Sequence, residues 1–198
     1  MERPKLNRSL VVLRAAEMAD ADGFDSVSLT GVARSFGVQT PSLYTHVRDL
    51  AALRDGITVV ALDELAERIG VAIAGRSGRD ALSGFATAHR EYLREHPGRW
   101  ESLQRKAGSD AVNAPAARRI VNVTDAVLFG YGISGEDRTH ATRIVGGAIS
   151  GFLNLERIGS LGHSNPDAEQ SWAELIVLLH FSLVHWHDRR RNHETEAT

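Results

Sequence analysis

Leu29-Thr30-Gly31-Val32-Ala33-Arg34-Ser35-Phe36-Gly37-Val38-Gln39-Thr40-Pro41-Ser42-Leu43-Tyr44-Thr45-His46-Val47 is the stretch that decides the fold. Ser28 can cap a helix from Leu29 to Phe36, in which Leu29, Val32, Ala33 and Phe36 share one face. Gly37 supplies the positive φ that a tight turn between two helices demands. A further helix then opens with Thr40 as N-cap and Pro41 at the first helical position, where a missing N–H costs nothing. Val32, Phe36, Val38, Leu43 and Val47 can close one small core, and Ala33 lets the two helices approach. The pattern is a helix-turn-helix. Its outer face carries Thr40, Ser42, Thr45 and His46, short donors and acceptors suited to phosphate oxygens or base edges, with Tyr44 able to reach a nucleic-acid backbone. Between Ser26 and Arg48 stand two arginines, Arg34 and Arg48, and no carboxylate, so the local field is positive. A plain helical hairpin would need no such agreement of cap, turn glycine, proline and apolar spacing.

Outward from this unit, helical spacing of apolar residues recurs and strand alternation is nearly absent, so the fold class is all-α. A first helix is expected from Asn7 or Arg8 to Asp22, with Val12, Ala16, Ala19 and Gly23 in register and Gly23 ending it. A fourth, from Asp49 to about Ile69, places Leu50, Leu53, Ile57, Val60 and Ala61 on one stripe and leads away from the helix-turn-helix. Joints rich in glycine, serine or proline fall at Gly75 to Asp80 and from Gly159 to Pro166. Further helices fit roughly residues 80–96, 100–106, 111–129, 137–158 and 166–190.

Composition narrows the chemistry. With 198 residues, 42% hydrophobic and 24% charged, the chain has an ordinary foldable make-up. The absence of cysteine excludes disulfides, thiolate metal sites and a cysteine nucleophile. A formal charge of -2 rules out a polybasic nucleic-acid coat, so any nucleic-acid contact is local. No apolar run reaches the roughly 18 to 20 residues of a membrane span, and Met1-Glu2-Arg3-Pro4-Lys5 lacks the apolar core of a secretion signal. A cytoplasmic location without membrane contact is the expectation.

Over about Leu6 to Leu65 the sequence resembles the TetR family of bacterial transcriptional regulators, with Gly37 to Val47 similar to that family's recognition segment. The resemblance implies a DNA-binding domain over residues 1–66, its third helix in the major groove and Thr40, Pro41, Ser42, Tyr44 and His46 facing DNA. Thr30, Gln39, Thr45 and Arg48 complete the candidate DNA-binding set. Where many members carry a phosphate-contacting lysine, this chain has Leu50, leaving Arg48 or Arg54 as the substitute.

Residues 77–198 exceed what DNA reading requires, which argues for an effector-binding and dimerisation domain. In the last helix Trp172, Leu175, Leu179, Leu183 and Trp186 form one stripe, and Ile176, Val177, Leu178, Phe181 and Val184 widen it almost around the helix. The helix before it offers Gly146, Gly147, Ser150 and Gly151 for close backbone approach. These last two helices are expected to pair with their symmetry mates in a homodimeric four-helix bundle. Gly147 to Glu156, with Ser171-Trp172, is similar to a TetR subgroup whose C-terminal domain is named for a Trp-His-Gly signature, although Ser150 stands here in place of its histidine. That likeness implies a dimer with an internal effector cavity. Candidate effector contacts are Phe85, His89, Tyr92, Trp100, Phe129, Phe152 and Glu156, each of which also suits core packing or a solvated edge.

Other signals carry less. Gly130-Tyr131-Gly132-Ile133-Ser134-Gly135 fits a dinucleotide fingerprint, but no second strand follows at βαβ spacing. Nine histidines lack a carboxylate at ligand spacing, and Asp137-x-x-His140 is half of a di-iron signature, so no metal or cofactor is expected. The sequence therefore points to a non-enzymatic, sequence-specific regulator, a repressor released from a pseudo-palindromic operator by a small-molecule effector. The alternative is a helical-bundle binding protein or enzyme that uses the C-terminal cavity.

Overall fold

The computed structural model describes residues 6–163 and 165–188. The helices are α1 Arg8–Asp22, α2 Leu29–Phe36, α3 Leu50–Ile73, α4 Gly78–Glu95, α5 Pro97–Leu103, α6 Ser109–Val112, α7 Pro115–Phe129, α8 Gly135–Arg157 and α9 Ala168–Val184. Phe24–Ser26 and Thr40–Thr45 form 3-10 helices, and no strand occurs among the described residues. The chain is all-α. It divides into two compact units, one joining residues up to Glu67 with Glu91–Ile120, the other joining Arg68–Arg90 with residues from Val121 onward. The division read from sequence followed the linear chain, whereas residues 91–120 pack with the N-terminal helices.

In the first unit the side chain of Asn7 accepts from Leu10 N at 2.9 Å to open α1, and Gly23, at φ 89°, closes it. Ser28 caps α2 through Gly31 N at 3.1 Å. Gly37 sits in the left-handed region at φ 68°, where its N–H reaches Arg34 O and Val38 N reaches Ala33 O. Those paired bonds are a Schellman ending, which turns the chain sharply because glycine takes that φ without Cβ strain. Val32, Ala33, Leu43 and Val47 are buried with Val11, Ala15, Leu53 and Ile57 from α1 and α3, while Phe36 and Val38 pack at the edge of that core. Three helices thus close on one apolar centre, as the spacing requires.

In the second unit α8 buries Ala141, Val145, Ile149 and Leu153, one residue per turn, and α9 buries Trp172, Ile176, Leu179 and Leu183. The Phe152 and Trp172 rings lie 5.3 Å apart. Gly84 brings α4 onto α3, since a Cβ there would stand 2.6 Å from Ala72 O. Tyr131 and His180 share a 2.9 Å hydrogen bond, and burial pushes the Tyr131 phenol up to about 12. Several boundaries differ from the sequence expectation. The segment Val121 to Phe129 is helical, so the glycines after it form a helix end and loop with Gly132 and Gly135 at positive φ, and the dinucleotide reading fails. The last helix stops at Val184, short of the expected 190, and Arg189 to Arg191 lie outside the described residues.

Candidate nucleic-acid interface

The segment expected as an α-helix beginning at its cap Thr40 is instead a six-residue 3-10 helix, preceded by Gln39, which makes no side-chain cap bond. Three residues per turn stack every third side chain on one ridge. Leu43 is therefore fully buried between half-buried Thr40 and His46, the two polar positions that α-helical spacing had placed on the outer face. Pro41 and Tyr44 form a second ridge and Ser42 and Thr45 a third, and all four are exposed, Tyr44 by 56%. Thr45 donates its hydroxyl proton to Ser42 O at 2.9 Å, which leaves its oxygen as an acceptor. Thr30 at the start of α2, Gln39 and Arg48 are exposed as well.

Sequence reasoning missed the role of Asp49. Its carboxylate accepts Ala52 N at 2.7 Å, capping α3, and takes Arg48 Nε at 2.9 Å. The Ala52 amide first, and then Arg48, hold the Asp49 carboxyl below its ordinary range, while Asp49 raises the Arg48 guanidinium. An aspartate directly before an apolar-periodic run was the available signal. Arg54 faces the other way, donating to Asp25 O at 3.2 Å with its guanidinium 5.6 Å from the Phe24 ring centre. Of the two arginines offered in place of the family lysine, Arg48 is the one with its side chain three-quarters exposed, at 75%.

The effector candidates do not form one group. Tyr92 and Trp100 belong to the first unit and are buried there, with the Tyr92 hydroxyl donating to Glu64 at 2.8 Å. Phe129 is 83% exposed at the end of α7. Phe85, His89, Phe152 and Glu156 lie in the second unit. The Phe85 and His89 rings stand 4.4 Å apart, and His89 Nδ1–H donates to Phe85 O at 2.8 Å. Burial pushes the His89 imidazole down to about 4. Glu156 pairs with Arg90, which also reaches Glu169 at 2.8 Å and lies over the Trp172 ring. Phe152 lines an open groove of about 670 Å³ with Pro166, Gln170, Glu174 and Leu178.

A tetracyclin repressor-like C-terminal domain model matches residues 82–179. An uncharacterized HTH-type transcriptional regulator of Mycobacterium tuberculosis, Rv0681, is 33% identical over 166 residues, covering 83% of this chain and 76% of that protein. The chain belongs to the TetR family of transcriptional regulators. Among solved TetR-like structures, Streptomyces coelicolor ActR in complex with (S)-DNPA superposes with a TM-score of 0.71 at 15% identity, over 91% of this chain and 98% of that one. BioQ with its double-stranded DNA operator gives 0.68 at 20% identity, over 91% and 99%. At these identities the likeness is one of fold, and it spans both units of this TetR protein. Its helix-turn-helix core and the all-α class agree with the sequence reading. Among the described residues no helix is long and apolar enough to cross a membrane, and no cluster of three or more potential ligands could hold a metal ion.

Proposed function

We propose that this TetR regulator acts in the cytoplasm as a homodimeric repressor, released from a pseudo-palindromic operator by a small-molecule effector. The observation that carries the DNA-reading part is the pair of exposed ridges, Pro41 with Tyr44 and Ser42 with Thr45, standing on a buried Leu43 in a stretch without carboxylates. Thr30, Gln39, Thr40 and His46 flank them, and Arg48 supplies the phosphate contact. Residues 1–66 read DNA, and residues 77–198 take the effector and the second protomer, with residues 91–120 also bracing the reader. Phe85, His89, Phe152 and Glu156 are the effector contacts in the second unit.

Dimerisation through α8 and α9 is supported by what these helices leave uncovered. Ile144, Leu155 and Ile158 on α8 and Val177, Leu178, Phe181 and Val184 on α9 are exposed. Gly147 and Gly151 have open space where a Cβ would stand. A face of large apolar residues interrupted by glycines suits a second copy of the same helices. Two recognition segments roughly 34 to 36 Å apart would then enter successive major grooves. Effector binding would favour a conformation in which α3 swings and that spacing no longer fits.

Fluorescence anisotropy with the DNA upstream of the gene, against scrambled competitor, tests the proposal. The expected result is salt-sensitive specific binding by two protomers, weakened by Tyr44→Ala and Thr40→Ala with the dimer intact. Binding no tighter than to scrambled DNA throughout the flanking regions would refute it, and turnover of a small molecule would favour an enzyme instead.

A further inference from the structure

α5 has no cap of its own. His96 precedes it without a side-chain cap bond, and Pro97 fills its first turn. The missing acceptor comes from α1, 79 residues away in sequence: Asp20 Oδ1 accepts Arg99 N at 2.9 Å. Asp20 Oδ2 faces His96 Nδ1 at 3.1 Å and Arg99 Nε at 3.2 Å. The Arg99 guanidinium continues to Glu64 of α3, with Nη1 at 3.0 and 3.1 Å from its two oxygens, and Tyr92 donates to the same carboxylate. Asp20 and Arg99 are both shielded, their side chains 16% and 8% exposed. Gly98 makes the approach possible, because any Cβ there would land on the backbone carbonyl of Ala19. One turn on, Glu101 accepts Phe24 N at 3.3 Å and Arg105 pairs with Asp25 at 2.6 Å, so α5 also grips the turn that leads into α2.

We infer that α5 is the input helix of the DNA reader: Asp20, acting as a cap supplied from a distant helix, is a positioning residue that fixes α1 and the helix-turn-helix to α5. The regulatory role rests on the reading of the chain as an operator-binding repressor. The route is covalent at its start. α4 carries Phe85, His89 and Arg90, then Tyr92, and a single residue, His96, separates it from α5. A shift of α4 therefore moves Tyr92, His96 and Arg99 together, and through Asp20 and Glu64 it reaches α1 and α3. Because a helix N-terminus holds an anionic cap through directed N–H bonds, the joint has a defined geometry that a greasy contact would lack.

The test uses the full-length protein with Asp20→Ala, with Asp20→Asn, which keeps an acceptor oxygen, and with Glu17→Ala as a surface control. Amide hydrogen exchange is read at residues 29–47, and operator affinity is read with the native site and with one base pair inserted at its centre. In Asp20→Ala, exchange across 29–47 is expected to quicken at least fivefold. The preference for native over inserted operator is expected to fall at least threefold. Asp20→Asn should recover most of both, and Glu17→Ala should match wild type. Exchange across 29–47 that stays at the wild-type rate in Asp20→Ala overturns the inference, whether or not DNA binds. Should Asp20→Ala fail to fold, Asp20→Asn decides: quickened exchange between α5 and the helix-turn-helix supports the joint, and wild-type exchange and insertion preference overturn it. Failure of the wild type to bind any specific DNA would instead strike at the operator reading and leave the exchange result to judge the joint.

Discussion

His89 gives the second unit a stability that depends on acid. Its imidazole is neutral in the folded protein because burial pushes its pKa down to about 4, from the ordinary value of 6.5. On unfolding the ring regains that ordinary value, so between pH 6.5 and 4 the unfolded chain binds a proton that the folded chain refuses. The depressed pKa thus contributes stability above pH 6.5, which drains away as the pH falls towards 4 and is gone below it. Working through the two binding curves, the loss from pH 7 to pH 5 is about 2 kcal/mol. Residual solvent contact makes that the upper limit. For a chain of this length it corresponds to a fall of roughly 4 to 8 °C in Tm. His89→Gln, which can still donate to Phe85 O, removes the titration and keeps most of the packing. The assay is thermal or urea unfolding of both proteins at pH 7, 6 and 5, with the difference between them isolating this residue from the other titrating groups. A wild-type protein that loses no more stability than His89→Gln over this range would refute the buried, neutral histidine.

Three further outcomes follow from the geometry. Arg48→Ala should weaken operator binding across sequences and flatten the slope of log K against log salt by about 0.9, so that its deficit shrinks about 3.5-fold between 50 and 200 mM; an unchanged slope removes Arg48 from the phosphate contacts. Leu43→Ala deletes a side chain with no exposed surface and should cost roughly 2 to 5 kcal/mol in urea unfolding, whereas a loss below about 1 kcal/mol would mean Leu43 is not the pin of the recognition segment. Phe181→Glu, at a position 61% exposed, should leave circular dichroism unchanged and halve the mass seen by light scattering; a persistent dimer would place the interface elsewhere.

The helix-turn-helix was legible because its signals are local. Ser28, Gly37 and the apolar spacing from Val32 to Val47 each act within a few residues, and each has a backbone consequence that can be named without knowing the rest of the chain. The 3-10 winding of Thr40–Thr45 was not legible. Hydroxyl, aromatic and proline side chains fit either helix over six residues, and the choice turned Thr40 and His46 inward. The union of α5 with α1 was hidden for another reason. It depends on Asp20, Gly98 and Arg99 meeting across nearly 80 residues, and none of them stands out in a linear scan. The effector candidates suffered the same way: chosen for polarity or aromatic character, Tyr92 and Trp100 prove to be core of the first unit, and Phe129 stands exposed.

The 3-10 winding also sets how much of an operator one protomer can spell. Six residues at about 2.0 Å each stretch over about 12 Å, against about 9 Å for the same residues wound as an α-helix. Twelve ångströms of groove is about three and a half base-pair steps. The outward ridges offer four short side chains to that window, Pro41, Ser42, Tyr44 and Thr45. The vocabulary of each half-site is consequently short, three or four letters, and an operator unique within a bacterial chromosome must draw the rest of its information from the distance and symmetry between the two halves.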